Sequence, residues 1–452
     1  MQNKKNHLKI LLLILVLLVS SGFSCKCVSQ KTREALKPIT LNYWRTWDTS
    51  DDFSDLIQAY QKLHPNITIN YKKLRYEEYE RLLLEAWAED RGPDIFSIHN
   101  TWGLNYKNKI TPIPDVIKMP YIYYKNAIPG CDRKKEQMTE FKETPLPSLF
   151  DIKNNFAETV YPDIIFKDDK GKSRIYALPL SLDTLVLFHN RDLLDRANIP
   201  YPPEDWEEFI ENTRALTITD EEQKNVIQAG AALGTFDNIE RAFDIIALLM
   251  LQNGSNLNNL ANDQSLEALN FYLDFASPGR EIYTWNNDMP NSLDAFAQGR
   301  LAFFFGYSYH IPIIKSKSPT LNFAISPMVQ INKTHPVNYA NYWMETVSKK
   351  SNHTKEAWDF LIFAADEKNV VKYLNKTKKP TALRSLIKEQ EKDHLIKPFA
   401  TQILTAENWH NIKNFNYAEE QFSQMFETIY GEEDTDIKKL FEFTINKIRK
   451  IK

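Results

Sequence analysis

Covalent staples and metal clusters are the first things this sequence does without. Three cysteines, Cys25, Cys27 and Cys131, occur in 452 residues, and three at unrelated spacings build neither a disulfide framework nor a zinc site. The nine histidines are scattered with no pair at ligand spacing, so neither a metal nor a cofactor is expected. Glycine is scarce at 12 residues, and none falls in a GxGxxG or Walker-type phosphate cradle. GxSxG and HExxH are also missing, which removes the common serine-hydrolase and zinc-protease chemistries. Neither sign of charge dominates: 56 Lys and Arg meet 59 Asp and Glu, for a net charge of −3 without a basic patch. Nucleic acid is therefore not an expected partner. No apolar run reaches the roughly 20 residues that cross a bilayer. The fold must rest on its own core, and 43% apolar content over this length supports one, divided into two lobes or domains.

The N-terminus sets the compartment. Lys4, Lys5 and Lys9 precede the apolar run Ile10 to Val19, and small residues then lead to Cys25 in SSGFSC. A basic flank, a short apolar stretch and a small-residue exit describe a secretory signal over 1–24. The cysteine directly after it suggests a bacterial lipobox, with Cys25 lipidated and the chain anchored at the outer face of the membrane. Gly22 stands where a lipobox usually has Leu. Ordinary cleavage nearby, leaving Cys25 a plain thiol, is the alternative, and Cys27 and Cys131 either pair or stay free. Loss of 1–24 removes three Lys and no acid, so the mature chain carries roughly −6. Residues 25–37 are polar and aperiodic, a tether.

Beyond residue 38 the pattern is αβ. ITLNYW alternates like a strand, and Asp48, Thr49 and Ser50 offer caps for a helix carrying Phe53, Leu56, Ile57, Tyr60 and Leu63. A strand ITINYKKL, a helix near 76–90 and a short strand IFSI at 95–98 follow, a βαβ series that predicts a mostly parallel sheet. Residues 118–150 are Pro-rich and read as an irregular surface excursion. The run 174–190 is nearly continuously apolar, as in a buried strand. PPEDW opens a helix at 203–216, and helix extends over about 238–276. A short helix, a turn at Gly299 and a strand ending at Gly306 come next, then a strand pair near 321–328 and 337–347, then a helical tail.

Aromatic and single polar residues recur where strands end, the place where α/β sheets bind ligands. Trp44, Trp47 and Asp48 follow the first strand, His99, Asn100 and Trp102 the third. Tyr307 and Tyr309 lie behind Gly306, and Trp343 and Glu345 in NYANYWMET. Asp183 interrupts an apolar run, so it either caps a backbone feature or accepts hydrogen bonds from a ligand. Flat rings beside Asp, Asn and Glu suit a pyranose, whose C–H face packs on a ring while its hydroxyls bond to planar polar groups. Paired carboxylates for glycoside hydrolysis stay open, since separation is invisible in sequence. An anionic ligand would want arginine in the cleft, for which Arg45 and Arg75 are the early candidates.

ITLNYWRTWDTSDDFSDLIQAYQKLHPNITI, RGPDIFSIHNTW, YALPLSLDTLVLFHNRDLL, YPPEDWEEFIENTRAL, DAFAQGRLAFFFGYS and TKEAWDFLIF together resemble the ordered blocks of the family 1 extracellular solute-binding proteins. These are sugar-binding lipoproteins of bacterial ABC importers, similar to maltose-binding protein. The resemblance runs from about 38 to 445. It implies an α/β, two-lobed periplasmic-binding-protein-like fold of type II, each lobe a mixed, mostly parallel sheet flanked by helices and joined by crossing strands. By analogy one lobe is 38–180 with 303–350 and the other 181–302 with 351–452. It implies a monomeric, non-enzymatic receptor that passes a carbohydrate to ABC permease subunits. Ligand positions carry over to Trp44, Trp47, Asp48, Asn100, Trp102, Asp183, Tyr307, Tyr309 and Trp343, with Phe236 and Tyr417 as looser matches. YANYW replaces the paired glycines the family often has before the tryptophan, and the 118–150 excursion is longer than usual. The same fold with a peptide, polyamine or organophosphate, a surface glycosidase, and a receptor feeding a sensor are the competing readings.

Overall fold

A computed structural model describes residues 30–125, 136–220, 225–256, 259–409, 414–432 and 434–450. The signal segment 1–24 and Cys25, Cys27 and Cys131 lie outside the described residues. Among those described, no helix is long and apolar enough to cross a membrane.

The βαβ series forms as its periodicity dictates. Strand Ile39–Arg45 buries Leu41, Tyr43 and Arg45 on one face and runs parallel to Ile67–Lys73 and to Ile95–His99. Helix Ser50–Leu63 starts at a capping box in which Thr49 and Asp52 exchange hydrogen bonds, so Thr49 is the cap and Asp48 is not. Helix Tyr76–Ala88 buries Tyr79, Leu83 and Trp87. In the same way Asn190 caps Arg191–Arg196 and Asp205 caps Trp206–Leu216.

Two sheets result. The first has the order 67–73, 39–45, 95–99, 343–348, 110–111, with 177–179 also paired to 343–348. The second has the order 218–219, 226–231, 301–306, 186–190, 323–326. Within these two sheets parallel pairing joins only the first strand to its two neighbours and 226–231 to 301–306 among the described residues, so both are mixed and not mostly parallel. The reason is that chain returning from the other lobe, such as 343–348, enters antiparallel to its neighbours.

Each sheet has its own core. One draws on Leu41 to Leu182, Ala340 to Ile387, Ile403 and Ala406, the other on Leu185 to Tyr339, Ile396 to Ala400 and Trp409 to Ile445. This corrects the expected division: 303–329 pairs and packs in the second lobe, and 351–387 packs in the first. Helix Thr354–Ala365 buries Trp358, Phe360 and Leu361 in the first core, while strand 301–306 is held in the second by hydrogen bonds on both edges. The chain passes between cores near 183, 340 and 387–406. There the short strands Asp183–Thr184, Asn338–Asn341 and Ala406–Glu407 form a three-stranded bridge. The apolar run 174–190 is therefore four short strands, not one, because it leaves the first lobe and enters the second.

Two irregular segments turn out ordered. Gln30–Ala35 in the tether is helical, as its Gln, Lys, Arg, Glu and Ala allow. Within the 118–150 excursion, Lys118–Lys125 and Glu136–Glu143 pair along their whole length as a hairpin. Tyr, Ile and Thr favour that conformation, and Pro120 is tolerated because it sits in a two-stranded ribbon with a free edge. The hairpin is rooted by Asp359, buried at 2% exposure. Its carboxylate accepts from the hydroxyls of Tyr60 (2.8 Å) and Thr144 and lies 3.4 Å from His64 Nε2, while His64 Nδ1 lies 3.1 Å from the Pro120 carbonyl. Asp359→Ala removes the shared acceptor and should lower unfolding free energy by about 3 kcal/mol in urea titration. A change under ~0.5 kcal/mol would mean the hairpin root does not depend on it.

Candidate functional site

Strand ends from both lobes converge on one cavity of ≈ 360 Å³. Trp47, just past the first strand, is 44% exposed, and its ring lies between two others. Tyr76 of the first lobe stacks on it at 5.3 Å and Tyr309 of the second at 5.7 Å, only 17° from parallel. Trp343 meets Trp47 edge-on at 6.5 Å and also contacts Tyr76, His99 and Trp102 at 5.5–6.2 Å. Gly306 lets the chain turn tightly before Tyr309, since a Cβ there would lie 2.6 Å from the Phe304 ring and 2.8 Å from His310 Nδ1.

Polar groups line the rest. Asp183, on the bridge, accepts from the backbone N–H (2.9 Å) and hydroxyl (2.6 Å) of Ser308 and from the Thr184 N–H. Burial pushes its carboxyl up to about 7 against these hydrogen bonds. His99 Nε2 lies 3.1 Å from Asn341 Oδ1, and burial pulls its pKa down to about 4, so the ring is neutral near pH 7. Asn341 Nδ2 donates onward to Asp244 (3.0 Å), which also accepts from Arg241 and from the Tyr307 hydroxyl. Arg241 holds a left-handed backbone (φ 58°) at the start of helix Ala242–Gln252, a conformation non-glycine residues seldom keep without a reason. His310, pushed down by burial, stands 3.8 Å from Glu240. Among the described residues no cluster of His, Cys, Asp and Glu could hold a metal.

Of the expected positions, Trp47, Trp102, Asp183, Tyr309 and Trp343 wall this cavity. The others do not, for specific reasons. Trp44 points to the other face of its strand under Lys72, 4.7 Å from its ring. Asp48 is buried in ion pairs with Arg45 (3.0 Å) and Lys379 (2.5 Å), cations that hold its carboxyl at about 2 against the opposing effect of burial. Glu345 is fully buried, accepting from Tyr43 (2.6 Å) and Ser97 (2.8 Å) beside Arg45. Asn100 braces the Tyr342 backbone. Phe236 packs on Phe426 in the second core, Tyr307 is buried against Asp244, and Tyr417 lies in the first turn capped by Asn414. Arg75 sits at the surface with Glu77. Sequence reasoning missed Arg241, Glu240, His310 and Lys379. Lys379 lies in the tract NKTKKP, which looks like any solvated lysine run, and the backbone of Arg241 leaves no mark in sequence.

Two α/β lobes, three crossing segments and a cavity between them define a two-lobed binding protein. The profile described as bacterial extracellular solute-binding protein matches residues 55–397, and this chain belongs to that family. It is similar to the melibiose/raffinose/stachyose-binding protein MelE of Bacillus subtilis, 27% identical over a stretch covering 46% of this chain and 40% of that protein. It is also similar to the galactooligosaccharide-binding protein of the same organism, 20% identical over 79% of this chain and 76% of the relative. Its fold is shared by an ABC substrate-binding protein of Listeria monocytogenes solved with cycloalternan. The TM-score is 0.68 at 15% identity, over 92% of this chain and 99% of that one.

The raised carboxyl of Asp183 has a consequence for stability. Its folded pKa of about 7 lies above the unfolded value near 3.9, so the folded state holds the proton more tightly. The protonated group thus favours folding at low pH, and that contribution is lost as pH rises from about 4 to 7. Urea unfolding of wild type against Asp183→Asn should show the wild type losing about 2 kcal/mol relative to the variant between pH 5 and 8. Parallel pH profiles would refute the shifted carboxyl.

Proposed function

We propose that this chain is an extracytoplasmic receptor that captures a carbohydrate, an oligosaccharide, between its lobes and delivers it to the permease of an ABC transporter. It acts as a monomer tethered to the outer face of the membrane through a lipid on Cys25. The observation that carries the reading is the ring box of Trp47, Tyr76, Tyr309 and Trp343, drawn from both lobes and set beside Asp183, Asn341 and His99. Rings offer faces for the C–H surface of a sugar, and planar polar groups bond its hydroxyls. The sugar-binding names of the relatives support the same class. Function is then a shift of population toward closed lobes by bound ligand, and no reaction is assigned to the cavity.

Isothermal titration against mono- to tetrasaccharides, with small-angle scattering for closure, tests this. A saccharide should bind and compact the protein. Trp47→Ala should weaken that binding at least tenfold while the apo melting temperature moves by no more than about 2 °C, since the ring is half exposed. A folded protein that binds no saccharide, or binds only peptide, polyamine or phosphate ligands, would defeat the carbohydrate assignment.

A further inference from the structure

Each cation that walls the cleft keeps its countercharge behind the wall. Arg45, from the first lobe, is 4% exposed. Its Nε donates to Ser97 Oγ (3.1 Å), and its Nη2 lies 3.0 Å from Asp48 and 3.1 Å from Glu345. Its Nη1 is buried and has no hydrogen-bond partner among the described residues. Lys379 beside it shares Asp48. On the opposite wall, Arg241 forks through Nε and Nη2 onto Asp244 (2.9 and 3.0 Å), and its Nη1 has no hydrogen-bond partner among the described residues. Arg45, Lys379 and Arg241 line the cavity, whereas Asp48, Glu345 and Asp244 do not.

Pairs arranged this way are neutral from afar but positive at close range, because the near charge of each layer outweighs the far one. A buried guanidinium nitrogen without a partner is also costly, and its best partner is an anionic oxygen. The two acids that do face the cavity are already occupied: Asp183 by Ser308, and Glu240 by Asn291 (3.1 Å) and His310. Neutral hydroxyls would use the rings but would leave this cation-first layering on both walls without a purpose.

We propose that the ligand is an acidic saccharide, whose carboxylate is met by the uncommitted guanidinium nitrogens and by Lys379 when the lobes close. This rests on the carbohydrate reading of the same cleft. The test is titration with matched disaccharides, each as the neutral sugar and as the uronate: galactobiose with digalacturonate, and cellobiose with its glucuronate counterpart. At least one uronate should bind ten times more tightly than its neutral partner. Arg241→Gln should weaken the uronate at least tenfold more than it weakens the matched neutral sugar, with Lys379→Gln used if the first variant does not fold. Neutral sugars binding as well as or better than the uronates would overturn the inference and leave the carbohydrate receptor standing. So would a variant that weakens both members equally. Binding by neither member of any pair, nor by any sugar of the wider series, would remove both readings.

Discussion

Arg45 ends the first strand with its guanidinium almost sealed from water, a position tolerable only with countercharge alongside. Much of the first lobe's cleft wall follows from meeting that demand. Glu345 must come alongside, which fits the register of strand 343–348 on 95–99 with Glu345 opposite Ser97. Two residues earlier on the same face, Trp343 then stands opposite His99 at the mouth of the cleft. Asp48 turns inward to the same guanidinium and to Tyr373, and Trp47 is left as the side chain that faces out. The aromatic platform is thus placed by a buried charge in the cavity wall.

The polar floor comes from the bridge, where the chain changes lobe. Asp183 and Asn341 are paired neighbours there. Asn341 links His99 of the first lobe to Asp244 of the second, and Asp183 ties the bridge to Ser308. A ligand that bonds to these groups touches the hinge and both walls together. Its contacts therefore depend on the angle between the lobes, which is the requirement for a ligand to bias closure.

The sequence displayed what is local and hid what is not. The βαβ series, the cap among Asp48, Thr49 and Ser50, the helix opened by PPEDW and the turn at Gly299 (φ 72°) are set by neighbours a few residues away, and they were readable. Lobe membership of 303–329 and 351–387 is set by pairing and packing with distant chain, and local pattern cannot report it. Among site residues the same split appears. Trp47 and Trp343 were legible as aromatics at strand ends. Glu345 and Asp48 matched the same chemical description but serve Arg45, because a carboxylate one or two residues from a cleft ring is equally suited to a buried ion pair. Arg241 was illegible, since only its left-handed backbone and its fork onto Asp244 single it out.

The Trp47–Tyr309 stack sets a limit on how the cleft can work. It joins rings from opposite lobes at 5.7 Å, so the walls already touch across the cavity without a ligand. An aromatic pair contributes roughly 0.5–1.5 kcal/mol beyond its buried area, which favours closed lobes by no more than about tenfold. That is enough to hold the walls near their working distance but too little to lock them. A sugar entering between the rings exchanges this contact for two ring–sugar contacts, so the loss is returned within the same site. Only the surplus, together with hydrogen bonds at the bridge, appears as affinity and as closure. The stack therefore acts as a weak reference state against which ligands are compared, and its weakness is what leaves the comparison sensitive to the ligand.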